Sequence, residues 1–335
     1  MNESIGAGTE RRQGVKWVAR LAGRNGSVQR PLIFLAIALI LSTLIQPTFL
    51  TVRNLDALLV STSFLMVVTV GEAVVILTGM IDLGVESLLS AGGMLVAFLN
   101  IFLRFPAAVS VPLGLLGGAA AGLLVGVLVT KGKIPSFIVT LGTYWGLQGV
   151  ALLFNGGSYI SPYSVQPARA FGFQGLAGHS LGISNLLLIT VLIIAGAQVA
   201  ISYTPLGTWF KSVGSNEASA RTVGLRTDRI KILAFVISGV LAVLAGMMMA
   251  AWQVSMYPNS GQGYSLEAIA GVILGGIPFT GGRGSIVGAA IGALIIGLIN
   301  DIIVLMGWPA LYEYIIVGVI LIVAGLQARS QGWVK

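Results

Sequence analysis

The sequence predicts an all-α, polytopic integral membrane protein with about ten transmembrane helices. Three observations predict this class. Of 335 residues, 56% are hydrophobic and only 9% are charged, whereas about 25% are charged in an average soluble domain. Apolar runs of roughly 17 to 25 residues recur, and such a run crosses about 30 Å of hydrocarbon as a helix. The alternation typical of a lipid-facing β-barrel is absent from the sequence.

Charges, prolines and glycines divide the chain into segments. Residues 1–30 are polar and basic and are predicted to form a cytoplasmic tail, and the apolar run that follows is longer than a signal-peptide core. The predicted spans cover 31–50, 57–78, 85–103, 108–130, 136–155, 183–203, 232–252, 265–279, 285–305 and 310–327. The transmembrane domain therefore occupies 31–327, with a cytoplasmic tail at 328–335.

The lysines and arginines predict the orientation of the spans. If the N-terminus is inside, sixteen of the 19 basic residues face the cytoplasm and three face outside. The three outside are Arg53, Arg104 and Arg169. A missing or extra span would blur this bias, so it supports the number and the direction of the spans. We therefore expect both termini in the cytoplasm, and we interpret the net charge of +8 as a topology signal rather than a nucleic-acid surface.

Glycines recur at intervals of four in two predicted spans. Such ladders expose a bare stripe of backbone, which lets helices approach closely in lipid. We therefore predict helix packing for the two ladders, which comprise Gly114, Gly118, Gly122 and Gly126 in the fourth span and Gly284, Gly288 and Gly292 at the start of the ninth.

The longest predicted external loop, 156–180, is rich in glycine, proline and aromatic residues. Its apolar runs are too short to span a membrane. Either a docking surface for an outside partner or a loose connector fits this pattern.

Known catalytic and metal-binding patterns are missing. The chain has no cysteine and a single histidine, His179, which cannot form a zinc site alone. No G-x-x-x-x-G-K-[ST] motif occurs around Lys131 or Lys133, so the chain cannot by itself be a P-loop ATPase. We expect no catalytic residue, metal or cofactor in this chain.

Polar groups inside the spans are candidates for a solute path. A carboxylate at the bilayer centre costs about 2.5–3.5 kcal/mol, so it should face protein or water. Glu72 and Glu313 are the deepest by residue count, and each fits either a path or a helix–helix hydrogen bond. Asp82 and Glu86 lie where the third span begins, and for both we favour capping of the exposed amide groups at the start of that helix. The candidate path comprises Glu72, Asn155, Asn300, Asp301 and Glu313.

The segment 204–231 is polar and lies between the sixth and seventh spans on the predicted cytoplasmic side. Ser215 or Asn216 can cap a short helix, Glu217 and Arg221 form an i,i+4 pair, and Gly224 can end it. Thr227 then starts the seventh span. A helix of about eight residues is not stable alone in water, so it must pack on this protein's own base or on a partner.

"NEASARTVGL" within this segment resembles the cytoplasmic coupling-helix motif of permease subunits of ATP-binding-cassette importers, in the branch for ribose, xylose, galactose and autoinducer-2. Three further blocks resemble the same family: "VVILTGMIDLGVESLLSAGGMLVA", "KIPSFIVTLGTYWGLQGVALLFNGG" and "LEAIAGVILGGIPFTGGRGSIVGAAIGALIIGLIND". Together the four blocks cover much of 70–305 in the family's order. In the usual importer motif the position that Ala218 occupies here is acidic, whereas in this chain the acidic residue, Glu217, lies one position earlier.

The resemblance implies a small-sugar permease without enzymatic activity of its own. It implies a second permease copy or paralogue, an ATPase subunit that holds ATP and magnesium, an external substrate-binding protein and a bacterial inner membrane. The implied ATPase-coupling residues are Asn216, Glu217, Ala218, Ala220, Arg221 and Gly224. The alternatives are a permease of the same architecture for an amino acid or nucleoside, and a self-sufficient secondary transporter or channel.

Overall fold

The computed structural model describes residues 28–330 except 169, 181 and 310, with backbone alone for 324–330. The predicted tail segments 1–27 and 331–335 lie outside the described residues. Helices α1 to α12 cover Val28–Ile45, Val52–Leu77, Val85–Ile101, Ala107–Thr130, Ser136–Leu153, Asn185–Tyr203, Pro205–Ser215, Glu217–Thr222, Thr227–Gln253, Tyr264–Leu274, Ile286–Leu305 and Leu311–Ser330. Two 3-10 turns, Pro47–Leu50 and Gln174–Ala177, and a two-stranded hairpin of β1 (His179–Ser180) and β2 (Ile183–Ser184) complete the elements of this part of the chain.

The fold is predominantly helical, as predicted. Within the described residues, seven helices are long and apolar enough to cross a membrane: α1, α2, α4, α5, α6, α9 and α11. The other three predicted spans correspond to shorter apolar helices, α3, α10 and the 311–323 part of α12. The described residues therefore contain ten apolar helical segments, of which seven have the length and composition of a membrane span.

The predicted eighth span, 265–279, is helical only as far as Leu274. Gly275 and Gly276 follow, and Gly276 has a φ of +88°, which ends the helix, while Pro278 prevents a restart. Eleven residues of helix reach only about 16 Å. The α10–α11 loop, 275–285, must therefore supply the rest of any crossing.

Helix α9 is the central element, because it packs along α2, α3 and α4. The glycine ladder of α4 faces it directly. A Cβ atom placed on Gly118 would lie 2.5 Å from the carbonyl oxygen of Gly239, and one on Gly122 would lie 2.3 Å from that of Phe235. A Cβ atom on Gly126 would lie 2.8 Å from the Cα of Ile232. Gly114, at the far end of the ladder, instead lies against Val96 of α3.

The second ladder is only partly helical. Gly288 and Gly292 lie in α11, where added Cβ atoms would come within 2.3 Å and 1.9 Å of the carbonyl oxygens of Gly275 and Gly271. Gly284 lies before α11 in the loop, with a φ of +125°, because the helix begins at Ile286. The prediction that Gly284 belongs to the helical stripe is therefore wrong.

Loops gather at the two ends of the bundle. We call one end the base; it consists of the α2–α3 loop 78–84, segment 204–226 and the α10–α11 loop. The other end, the mouth, consists of loops 154–184 and 254–263. A bridge joins the mouth loops, since Ile160 and Met256 exchange backbone hydrogen bonds of 2.9 and 2.8 Å. When the shorter α3 and α10 are included, the apolar helices from α2 to α11 end alternately at base and mouth, an order compatible with the predicted topology.

Much of the predicted external loop 156–180 is anchored in the mouth. Phe171 and Phe173 are buried and stack with ring centroids 5.0 Å apart. The amide of Gly172 donates to Asn100 Oδ1 at the end of α3, at 2.9 Å. Of the two interpretations of this loop, the loose connector therefore does not fit its described residues.

The close contact of α4 with α9 yields a prediction. Replacing Gly122 by Ala should lower the free energy of unfolding by about 1–3 kcal/mol, because the two backbones must separate to admit the methyl group. Thermal unfolding of the purified protein in detergent measures the change. Gly196→Ala in α6 is the control, since a Cβ atom there meets nothing within 4 Å. Equal stability of both variants would contradict this packing.

Candidate functional site

Segment 204–226 of the base forms two short helices, whereas the sequence predicts only one. The missed helix is α7, Pro205–Ser215. Thr204 caps it by accepting a hydrogen bond from the amide of Leu206 at 3.3 Å, and Pro205 takes the first helical position, where no amide hydrogen is needed. The Thr-Pro pair in the sequence is the signal that could have predicted α7.

Helix α7 is fixed between two loops of the base. Phe210 and Val213 are buried. The Cα of Gly214 lies so close to the end of α2 that a Cβ atom would be 2.1 Å from the carbonyl oxygen of Leu77. The same carbonyl accepts from the amide of Gly282 at 3.0 Å, and Ser215 Oγ donates to the Gly282 carbonyl at 3.3 Å. The end of α7 therefore joins the α2–α3 and α10–α11 loops.

Helix α8, Glu217–Thr222, has the caps that the sequence predicts. Asn216 Oδ1 accepts from the amide of Ser219 at 2.9 Å at its start. At its end Gly224 has a φ of +85° and donates its amide to the carbonyl of Arg221 at 3.0 Å. This left-handed geometry favours glycine, so α8 and the turn after it have a defined shape.

Five charged residues form an ion cluster that ties α8 to its neighbours. Arg221 Nη2 lies 2.9 Å from both Glu217 Oε1 and Asp228 Oδ1. Lys231 Nζ in α9 lies 2.7 Å from Glu217 Oε2, and its side chain is only 10% exposed. Lys131, just after α4, reaches Asp228 Oδ2 at 3.3 Å. The sequence predicts the Glu217–Arg221 pair, but not the links to α9 and α4.

The charge of Glu217 persists at neutral pH. Its partial burial alone would raise the pKa, but hydrogen bonds from Lys231 and Arg221 lower it from the ordinary 4.5 to about 2. Because the pKa of Glu217 is lower in the folded chain than in the unfolded chain, its ionisation stabilises the fold at every pH above 4.5. This stabilisation is lost as the pH falls from 4.5 towards 2. Glu217 is therefore ionised over the physiological range and can pair with Lys231 and Arg221.

The outer face of α8 is open. Ala220 is buried against the base at 3% exposure, whereas Ala218, Arg221 and Gly224 are exposed. Val223, at the tip, is 76% exposed. Within the described residues, α8 therefore has one face fixed to its own base and another, partly apolar, face that no part of the described chain covers.

A cavity of about 720 Å³ opens at the mouth. It is enclosed by α2, the end of α9, the 254–263 loop, α10, α11 and the start of α12. Three of the five predicted path residues line it: Asn300, Asp301 and Glu313. Glu313 lies in the first turn of α12 rather than deep in a span, because that helix begins at Leu311.

Hydrogen bonds within the lining and from Asn54 behind it hold the polar side chains of the cavity. Asn300 Nδ2 donates to Glu313 Oε1. Asp301 Oδ2 accepts from Asn54 Nδ2 at 2.8 Å. Glu267 in α10 also lines the cavity and approaches Glu313, but sequence reasoning did not select it. Its position follows from the close packing of α10 on α11, which residue spacing alone does not reveal.

Two predicted path residues lie elsewhere. Glu72 is fully buried in α2, and its Oε1 accepts from the amide of Asp82 at 3.1 Å. Asp82 in turn accepts from the amide of Gly84 at 2.9 Å, just before α3, and from Ser238 Oγ of α9 at 3.2 Å. The geometry of Glu72 thus fits the hydrogen-bonding alternative. Asn155 donates to the carbonyl of Tyr159 within the mouth loop at 2.8 Å, away from the cavity.

Comparisons with known proteins cover most of the chain. Residues 54–325 match the family described as "Branched-chain amino acid transport system / permease component". The ribose import permease of Escherichia coli K12 is 37% identical over 298 residues, which are 89% of this chain and 92% of that protein. The ribose import permease of Haemophilus influenzae is 35% identical over 93% of this chain and 96% of its own.

A third relative is the autoinducer 2 import system permease of Escherichia coli DH10B, which is 34% identical over 87% of this chain and 83% of its own. No solved structure matches the chain. The matches extend over both the base segment and the mouth cavity, since each of these lies within 54–325.

Proposed function

This chain belongs to the family of permease components of the branched-chain amino acid transport system, and from that membership we propose that it is the membrane-spanning permease of an ATP-driven sugar importer. The two ribose import permeases align with more than nine-tenths of their own length. The family description names amino acids, but the relatives reported above are named for ribose and autoinducer 2. These names favour a small sugar as the solute.

The proposed topology places the base in the cytoplasm and the mouth outside, in a bacterial inner membrane. The ion cluster and the predicted cytoplasmic lysines and arginines of segment 204–231 lie at the base. Helices α3, α10 and α12 complete the ten crossings together with their adjoining loops. Both termini are then cytoplasmic.

The observation that carries the mechanism is that α8 is fixed on one side and open on the other. An ATPase subunit that grips the open face moves α8, and the ion cluster passes this movement to α9 and α4. The coupling residues Asn216, Glu217 and Gly224 hold the shape and the attachment of α8. Ala218 and Arg221 lie on its open side, where they meet the partner.

ATP and magnesium bind the partner ATPase, because this chain has no P-loop motif. A binding protein delivers the sugar to the mouth, and a second permease copy or paralogue completes the path within the lipid. Transport is then a two-state change in which closure of the ATPase around ATP opens and closes access to the path.

The first test is transport by reconstituted vesicles. We expect no sugar uptake by the purified chain alone, and ATP-dependent uptake when a cognate ATPase subunit and a cognate binding protein are added. Radiolabelled D-ribose is the first probe. Uptake by the chain alone under an ion gradient would identify a secondary transporter instead.

The second test disrupts α8 without touching the mouth. Glu217→Arg reverses the charge that Lys231 contacts, and Gly224→Pro cannot adopt a φ of +85°, which costs about 3 kcal/mol or more locally. Both variants should insert normally but lose ATP-driven uptake and transporter-stimulated ATP hydrolysis.

Asp56→Arg is the matched control, because Asp56 is an exposed acid at the opposite end of the bundle. This control should retain both activities. Normal coupling in both α8 variants would show that the ATPase acts elsewhere.

A further inference from the structure

We propose that the base binds the phosphate headgroup of an anionic phospholipid in a second cavity, between the end of α4, the start of α5 and the start of α9. We call this cavity the lysine pocket. Its volume is about 370 Å³, and its lining includes Val129, Lys133, Ser136 and Lys231. This volume lies within the usual range of ligand pockets, about 300–1,000 Å³. The site needs only a membrane around α4 and α5, so it does not depend on the proposed sugar transport.

The connection between α4 and α5 places the lysine pocket at the surface of the membrane. Both helices are long and apolar enough to cross a membrane. Only residues 131–135 lie between them. A loop this short between two crossings must lie at a membrane–water interface, which is where lipid headgroups are found.

The lysine pocket is positively charged. Lys133 and Lys231 line it, and no aspartate or glutamate does so among the described residues. Within the same part of the chain, Lys133 forms no ion pair. Lys231 is only 8% exposed, and its ammonium group donates to Glu217 Oε2, which uses one of its three hydrogens. A phosphate oxygen in the pocket can therefore accept charge-assisted hydrogen bonds from two lysines.

The surroundings of the pocket also favour an anion. The two segments that meet there, 131–133 and 217–231, contain six lysines and arginines but only two acids. Both acids, Glu217 and Asp228, are already paired within the ion cluster. The positive end of α5 adds to the same field, because no side chain of the described chain caps its start. Basic pockets between membrane spans are typical binding places for the headgroups of anionic lipids.

Apolar surface beside the lysine pocket distinguishes a lipid from a free phosphate. Phe137 and Ile138, in the first turn of α5, are 55% and 57% exposed. Val127 and Leu128, at the end of α4, are also exposed. A lipid can place its phosphate on the lysines and its acyl chains on these side chains, whereas inorganic phosphate gains nothing from them.

The backbone of Lys133 makes a clean variant possible. Its φ is +54°, in the left-handed region that glycine adopts without strain and asparagine adopts more readily than lysine. Replacing Lys133 by Gly or Asn therefore removes the charge without straining the loop. Neither variant should unfold at a lower temperature than the unmodified protein when no lipid is added.

The test measures lipid binding to the purified permease in a neutral detergent by native mass spectrometry. Phosphatidylglycerol is the anionic probe, and phosphatidylcholine, which has the same phosphate but no net charge, is the comparison lipid. Lys133→Gly and Lys133→Asn are the variants. Arg104→Gly is the matched control, because Arg104 also has a left-handed φ, of +58°, in the short α3–α4 connection at the other end of the bundle.

Phosphatidylglycerol should bind at least about tenfold more tightly than phosphatidylcholine. Both Lys133 variants should weaken its binding by about tenfold, the effect of losing one hydrogen bond to a charged group. Arg104→Gly should bind it as tightly as the unmodified protein. Equal affinity for the two lipids, or equal weakening by Lys133→Gly and Arg104→Gly, would overturn the proposal.

Hydrogen–deuterium exchange in nanodiscs locates the bound lipid. Phosphatidylglycerol in place of phosphatidylcholine should slow amide exchange in residues 131–137 but not in the α3–α4 connection, 102–106. The same exchange rate of 131–137 in both lipids would reject the site, including the case in which a second permease copy covers it.

Competition separates the lipid from a free anion. Inorganic phosphate and glycerol 3-phosphate, at the ionic strength of a sodium chloride control, should not displace phosphatidylglycerol. Displacement by either at a concentration equal to that of the lipid would show a site for free phosphate and would overturn the lipid assignment.

Discussion

The constraint on which the rest of the structure depends is the direct backbone contact between α4 and α9. Gly118 and Gly239 face each other so closely that a Cβ atom on either would lie within 2.5 Å of the other's carbonyl oxygen. In lipid, where apolar burial gives helices no reason to associate, such close packing provides the attraction. It fixes α9 in the centre of the bundle, and α9 in turn connects the base with the mouth cavity.

Helix α9 begins in the ion cluster and ends at the mouth cavity. Lys231 contacts Glu217 of α8 near its start, and Trp252 lines the cavity near its end. Its 27 residues extend about 40 Å, more than the thickness of the hydrocarbon core. In the proposed mechanism, a displacement of α8 therefore reaches the cavity through one continuous helix, which packs against the glycine ladder of α4.

The sequence predicts the local features well. The Asn216 cap and the Gly224 turn depend on residues only a few positions apart, so their spacing is sufficient. The cavity depends on helices far apart in the chain, such as α2 and α11, and spacing therefore did not select Glu267 or Thr62. Glu72 illustrates the same limit, because its depth was predictable but its bond to the Asp82 amide depends on how the α2–α3 loop folds back.

The most direct test of this account compares the cavity in two states of the complete transporter. A single Gln253→Cys at the end of α9 is labelled from outside with a charged thiosulfonate, with and without ATP and vanadate on the ATPase. The account predicts that the labelling rate differs between the two states, and that the difference disappears when Glu217→Arg breaks the link between α8 and α9. Equal labelling rates with and without ATP and vanadate, in the transporter that retains Glu217, would contradict the account.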